Sequence, residues 1–514
     1  MTLTSSVGLR SALLAGVLFC LSPPSPVGAQ GCLDPFTCGF LSCRTPASGV
    51  PSQLWGALKP VDTGQLPAQR DNTNYPYDEP GIVELPGPNQ PLWVALDVEN
   101  GWIFAGISHG LQIWDARGAL APSPSRVANV GRSAFPAWVP DPHSTLPVRD
   151  LDAPPGNDGV VAVAVTEGAG LAIFNTEEKS SPQARYGDLG KSPLQVYAGR
   201  IGATDYSFTA TQFEGLLVHD MTAAANRPSL CVEDTPSQNV CGVYVGRIGA
   251  RDTVAYVDGV GDAAGTSHWV VGSSAGTPCG LEIWDVSDPA SPQLELTGLA
   301  GPPFLCLLNG GEQVNGVALW RSGASYYLGL RTTVVTSITF ARIYDVSCIA
   351  APGGCGGLGP ALWSQNLGFG PGTQPVTYSQ SGDRRFLHFG SVECPPPGHL
   401  AEWLLDVTNP AAAFDVTPPP GLYLGQPTDY WGWYYRKNPT GFNNVWPYMG
   451  RFAGPYFYRA AFSLFDIHLL QGSSGVPLFG DGFESGGFSA WSEVHPCCES
   501  DSREGPRGGR QGGR

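Results

Sequence analysis

The ten residues Gly280–Pro289, GLEIWDVSDP, return in altered form along most of the chain. A recurring unit restricts the accessible folds more than any local motif does. The copies are GLQIWD (Gly110–Asp115), GLAIFN (Gly170–Asn175), GLLVHD (Gly215–Asp220), ARIYDV (Ala341–Val346), EWLLDV (Glu402–Val407) and FSLFDI (Phe462–Ile467). Their closing residues, Asp115, Asn175, Asp220, Asp285, Asp345, Asp406 and Asp466, are spaced 60, 45, 65, 60, 61 and 60 apart. Each copy reads as a strand with side chains alternating between two faces, ended by an Asp-containing turn.

A second strand precedes each copy: WIFAGI, VVAVAV, YSFTAT, HWVVGS, YYLGLR, RFLHFG and, more weakly, PYFYRA. Several have another strand before that, as in Val196–Gly202 and Val314–Trp320, and a fourth after the turn, as in Pro292–Leu299. Four short antiparallel strands per unit, without a helical pattern, predict the blade of a β-propeller. The expected fold is therefore all-β, a seven-bladed β-propeller over residues 52–470. Its N-terminal strand, Leu54–Val61, is expected to complete the last blade, with Val476–Phe479 as the competing latch. Closure would remove the open sheet edges that invite aggregation.

The stretch GLEIWDVSDPASPQL (Gly280–Leu294) resembles the LVIVD repeat of secreted bacterial β-propellers, most closely here and more loosely in the last three copies. Trp-Asp occurs at Trp114–Asp115 and Trp284–Asp285, but the period of about 60 and the lack of a unit-opening Gly-His pair argue against WD40 repeats. Near the C-terminus, Leu478–Trp491 (LFGDGFESGGFSAW) resembles a DGFESG-type segment found at the ends of exported bacterial proteins, which implies a surface or sorting element.

At the other end, Arg10 precedes an apolar run, Ser11–Leu21, and then Val27-Gly28-Ala29. This is the pattern of a secretory signal peptide covering residues 1–29. The apolar run is too short to span a bilayer. A Cys- and Pro-rich segment, 30–51, follows. The remaining parts are a linker with the DGFESG-type segment (471–495) and a tail of disordered composition (496–514). The expected location is extracellular or the cell envelope, without a transmembrane segment, as a monomer. Removing Cys20 with the signal leaves 12 of the 13 cysteines, an even number suited to disulfides in an oxidising compartment. Cys279–Cys306 is the leading pair, Cys231–Cys241 and Cys348–Cys355 are short-loop pairs, and the connectivity of the other six is open.

A formal charge of −16 argues against nucleic acid as a partner, which requires a basic face. Propeller ligands commonly sit at the turns between second and third strands or at the channel mouth, which places His109, Glu167, Gln212, Glu214, Ser274 and Glu393 on one candidate face. The competing reading is that turns are polar because they are wet. Gly272–Gly276 matches G-x-S-x-G, but a strand rather than a helix follows, so a blade turn accounts for it better. Asp150, Asp152, Asn157 and Asp158, and likewise Asp258 and Asp262, form oxygen-rich groups of the kind that hold Ca²⁺, without EF-hand spacing. No other cofactor is implied. Residues 430–458 hold twelve aromatics, including Trp431, Trp433, Tyr434, Tyr435 and Trp446. Exposed, these would grip a glycan or a protein partner; buried, they would pack the last blade.

The function these features favour is a secreted or cell-surface binding module for protein or carbohydrate. The alternative is a metal-assisted hydrolase or lactonase-like enzyme built on the face bearing His109 and Glu167.

Overall fold

The structure, a computed structural model, describes residues 58–60, 82–84, 95–107, 110–121, 124–130, 148–165, 170–188, 192–233, 239–249, 252–274, 280–297, 312–334, 338–369, 375–394, 399–416, 421–423, 426–428, 434–438, 441–445, 447–461 and 464–470. These form a β-propeller of mostly antiparallel, four-stranded units. The units span 95–130, 148–188, 193–248, 256–297, 312–369, 376–415 and 447–470, and are called units 1 to 7 below. The first strand of each lies innermost, and the seven inner strands contact one another in sequence, the last returning to the first.

The units make six blades rather than the expected seven. Units 5 and 6 are one continuous eight-stranded sheet, because the pair Phe369–Glu393 joins the outer strand of unit 5 to the second strand of unit 6. Unit 2 also departs from the four-stranded pattern. The segment connecting the third and fourth strands of unit 3 sends Cys231–Glu233 across to lie parallel to Gln183–Asp188 as a fifth strand. In unit 7, both Leu58–Pro60 and Ile82–Glu84 lie antiparallel to Leu464–Leu470, the first opposite His468–Leu470 and the second opposite Leu464–Asp466. Two hairpin pieces, Gly421–Tyr423 with Gln426–Thr428 and Tyr434–Asn438 with Gly441–Val445, precede that unit.

The repeated sequence has a local cause. Its closing Asp or Asn folds its side chain onto the backbone two residues on, as an Asx turn. Asp115 accepts from Arg117 N–H at 3.0 Å, Asn175 from Glu177 at 3.1 Å, Asp285 from Ser287 at 2.8 Å, Asp345 from Ser347 at 2.8 Å and Asp406 from Thr408 at 2.9 Å. In unit 3 the same residue, Asp220, instead caps the short helix Met221–Ala225 through Ala223 N–H. The Ser or Thr two places after the Asp has its own task. Its hydroxyl accepts the N–H that opens the second strand of the unit: Thr222 from Asp205, Ser287 from His268, Ser347 from Tyr326 and Thr408 from Arg385. The Gly that begins the copy sits at φ +78° in Gly170 and Gly215, a conformation L side chains rarely adopt.

Packing follows from the alternation. Val160–Val165 is buried at every position, between neighbouring units on one face and the other. The interfaces hold large side chains with almost no exposure, among them Phe104, Phe174, Phe208, Trp320, Phe389 and Trp403. Sheet-to-sheet burial of this kind supplies most of the stabilisation, roughly 25 cal/mol per Å² of apolar surface. The short-loop pairs expected among the cysteines form disulfides, Cys231–Cys241 with an S–S distance of 2.06 Å and Cys348–Cys355 with one of 1.94 Å. Cys279 and Cys306, the signal segment and the C-terminal segment lie outside the described residues. Among the described residues no helix is long and apolar enough to cross a membrane.

Candidate functional site

An inner strand of a propeller has one edge bonded within its blade and one edge facing the axis. The N–H groups on that free edge need partners. Here carboxylates and an amide from the preceding unit provide them. Asp97 of unit 1 accepts Ala153 N–H at 2.9 Å; Asp150 and Asp152 of unit 2 accept Val196 and Ala198 N–H at 2.9 and 2.7 Å. Gln195 of unit 3 accepts Val257 N–H at 3.0 Å, and Asp258 of unit 4 accepts Leu319 N–H at 2.7 Å. Between units 6 and 7 the polarity reverses, as Thr377 and Ser381 hydroxyls donate to the Gly450 and Gly454 carbonyls at 2.8 and 2.6 Å.

The result is an axial channel whose wall carries charge. One guanidinium, Arg451 of unit 7, stands among the carboxylates, 3.0 Å from Asp97 and 3.2 Å from Asp152, with a quarter of its side chain exposed. It therefore links the last unit to the first two. Burial pushes the Asp150 and Asp258 carboxyls up to about 7, against the lowering effect of backbone N–H bonds and of Arg451. Asp152 is also raised, by burial and by the Asp97 charge. Glu99, half-buried near the rim and bonded to Gly156 N–H at 2.9 Å, rises to about 7 for the same reasons.

Tyr197 and His268 pack into this wall between units 3 and 4, Tyr197 Oη lying 2.9 Å from His268 Nε2. Two glycines leave them room: a methyl group at 259 would collide with the Tyr197 ring, and one at 199 would lie 2.6 Å from His268 Nε2. Burial pulls His268 down to about 4, so the ring is neutral at physiological pH, and pushes the Tyr197 hydroxyl up. The channel widens into a cavity of about 810 Å³. Its rim is formed around the turns between first and second strands, by Glu99, Pro155, Arg200, Asp262, Arg321 and Gln380.

That rim is built from different turns than the face expected from the sequence. Glu214 does not line the cavity; it sits in the turn after Thr211, its N–H donating to the Thr211 hydroxyl at 3.0 Å. Gln212, beside it, is exposed. His109, Glu167, Trp431, Trp433 and Trp446 lie outside the described residues, and Tyr434, Tyr435, Ser274 and Glu393 lie on strands of which only the backbone is described there. Ser274 ends one strand and Gly280 begins the next, so G-x-S-x-G is a strand–turn–strand connection.

The two oxygen-rich groups are divided among other tasks. Asp150, Asp152 and Asp258 belong to the channel, Asn157 donates to Asp205 at 2.6 Å, Asp158 pairs with Lys179 at 3.2 Å, and Asp262 accepts from Thr266 at its own turn. Among the described residues no group of three or more His, Cys, Asp or Glu is placed to hold a metal ion.

Two functional-looking features were not read from the sequence. One is the carboxylate–Arg451 set, whose members are separated by 299 residues in the contact of Arg451 with Asp152 and by still more in that with Asp97. The other is a fully buried pair, His219 with Asp188 at 3.1 Å, beside Tyr186 and Glu233, also 3.1 Å apart. A signal for the second was available: GLLVHD places His where the other well-matched copies have Trp or Phe.

No family model matches the chain, and no curated protein matches it. Among solved structures, it aligns over 76% of its length with Raptor from Chaetomium thermophilum, at 9% identity and a TM-score of 0.40, and spans 29% of that chain. It also aligns over 76% of its length with chains of the COPII coat on membranes. One is at the outer coat vertex (14% identity, 88% of that chain, TM-score 0.42) and one in the assembled coat (14%, 48%, 0.42). At such identities and scores the likeness assigns no function.

Proposed function

We propose that the protein is a non-enzymatic binding propeller that recognises a protein or carbohydrate partner at the rim of its axial cavity. The observation that supports this most is that the channel carboxylates are held rather than poised. Each of Asp97, Asp150, Asp152 and Asp258 gives an oxygen to a backbone N–H of the next unit. Residues fixed in this way shape and charge a concave site, and concave sites with a few polar groups are where ligands bind. A cavity bounded by exposed Gln380 and partly exposed Arg321 leaves room for a partner to enter.

Export fits this reading. We take residues 1–29 as a signal peptide, the repeats as LVIVD-type, and the N-terminal strand as the latch of unit 7; both disulfides are compatible with an oxidising location. Of the aromatic segment 430–458, Phe452, Phe457 and Tyr458 are buried in the packing of unit 7, and the aromatics before them would extend the contact surface.

The test is a glycan array and a peptide array probed with the mature protein and with a double rim variant, Arg321→Ala with Gln380→Ala. Among the described residues both side chains bond only to carbonyls of their own turn, so the fold should be unaffected. Binding that drops at least tenfold in the variant supports the rim as the site. Binding that is unchanged, or absent from both arrays, sinks it.

A further inference from the structure

Resting on the reading above, we infer that the cavity takes an organic cation, an ammonium or guanidinium group, held among Glu99, Asp152 and Asp258. The charge distribution argues for it. Four inner-strand aspartates face one guanidinium, and neither Asp150 nor Asp258 has an ion-pair partner among the described residues. Arg200 and Arg321 also line the cavity, but Arg200 pairs outward with Asp205 at 2.8 Å and Arg321 bonds Gly323 O. Asp262 adds a further carboxylate at the rim.

The protein itself shows that the wall accommodates such a group. Arg451 already places its guanidinium between two of these aspartates. Coulomb attraction between unit charges at a few ångströms, under partial burial, is large enough to matter beyond solvent screening.

A second observation is independent of the carboxylates. Among the described residues His268 Nδ1 and Ser379 Oγ have no hydrogen-bond partner, on residues only 3% and 8% exposed that both line the cavity. Ser379 shares a strand face with Thr377 and Ser381, whose hydroxyls bond unit 7 at Gly450 and Gly454, so it is the one of the three left without a partner. Buried polar groups are nearly always bonded, and orphans in a cavity wall call for a partner that the chain does not supply. A cation bearing further hydroxyl or amide groups meets both demands.

The carboxyls held near neutral pH make this ligand compete with protons. Glu99, Asp150 and Asp258 lose protons as pH rises through 7, Asp152 is raised as well, Arg451 stays charged, and His268 stays neutral across the range. The experiment is isothermal titration of the mature protein with agmatine, with spermidine and with a blocked Gly-Arg-Gly peptide, at pH 6 and pH 8, with glucose and citrate as neutral and anionic controls.

Cations should bind, at least tenfold more tightly at pH 8 than at pH 6. Asp258→Asn, whose amide oxygen still accepts Leu319 N–H, should weaken them about tenfold; Glu99→Gln at the rim is the second variant if the first folds poorly. Tighter binding of the free amines would point to a small-molecule ligand, and tighter binding of the peptide to an Arg or Lys side chain of a partner. No cation heat, equal binding of the controls, or insensitivity to both variants would overturn the inference. Loss of cation binding with array binding at the rim retained would leave the broader reading in place.

Discussion

Arg451 has the most consequences of any single side chain. It comes from the last unit and contacts aspartates of the first two, so removing it leaves Asp97 and Asp152 buried without a counter-charge. Arg451→Met should therefore destabilise by about 3 kcal/mol in urea unfolding. Adding Asp97→Asn and Asp152→Asn should recover much of the loss. A loss under about 1 kcal/mol would show that the ring does not depend on this contact. Asp150 gives a pH test. Its folded carboxyl holds its proton up to about pH 7, well above the ordinary value of 3.8. Its contribution to stability is full below pH 4 and fades as pH rises through 7. Asp150→Asn keeps an acceptor for Val196 N–H, so it should raise Tm relative to wild type at pH 8, with the gain gone by pH 4. A gain that does not vary with pH would contradict the assignment. His268 works in the opposite direction, since its folded value of about 4 lies below 6.5 and favours the folded state only above that range.

At the scale of the element, the turn closed by Asp or Asn is the unit that repeats, and in the copies ending at Asp220, Asp285, Asp345 and Asp406 it takes the form D-x-[ST]. Asp285 holds both the N–H and the hydroxyl of Ser287, and Ser287 in turn accepts His268 N–H. Asp285→Ala should cost about 1 kcal/mol by thermal or chemical unfolding, with Asn restoring part of it. A neutral result would mean that the turn is redundant. The strand Cys231–Glu233 is a second case, fixed to unit 2 by backbone pairing and by the Tyr186–Glu233 bond, and closed at its base by Cys231–Cys241. Replacing both cysteines by Ser should cost about 3 kcal/mol, the loop-closure value for a separation of 10. These turns and loops were legible because their causes are local: the bonding partner of each closing Asp named above lies two residues away, or three for Asp220. The channel was not, because Asp97 meets Ala153 and Asp258 meets Leu319 only after the ring has formed. Asp150 and Asp152 stood out in one oxygen-rich group and Asp258 in another, but the backbone groups they bond belong to other units.

For the whole molecule, the period of about 60 residues was enough to read the propeller and the four-stranded unit. The blade count was not readable, since one residue pair, Phe369–Glu393, merges two units and nothing in either repeat marks it. The inner ring makes its own prediction. The amides of Ala153, Val196, Ala198, Val257 and Leu319 are held by side chains of the preceding unit, so in hydrogen exchange they should be as protected as amides inside the sheets. Exchange at loop rates would show that the axis is open to water and the carboxylate bonds transient. The loan of a strand from unit 3 to unit 2 also bears on how the ring can come apart. Those two units share backbone as well as side-chain contacts, and units 5 and 6 share a sheet, so a mechanical pull on the molecule should part the seams on either side of unit 4 before it separates either couple.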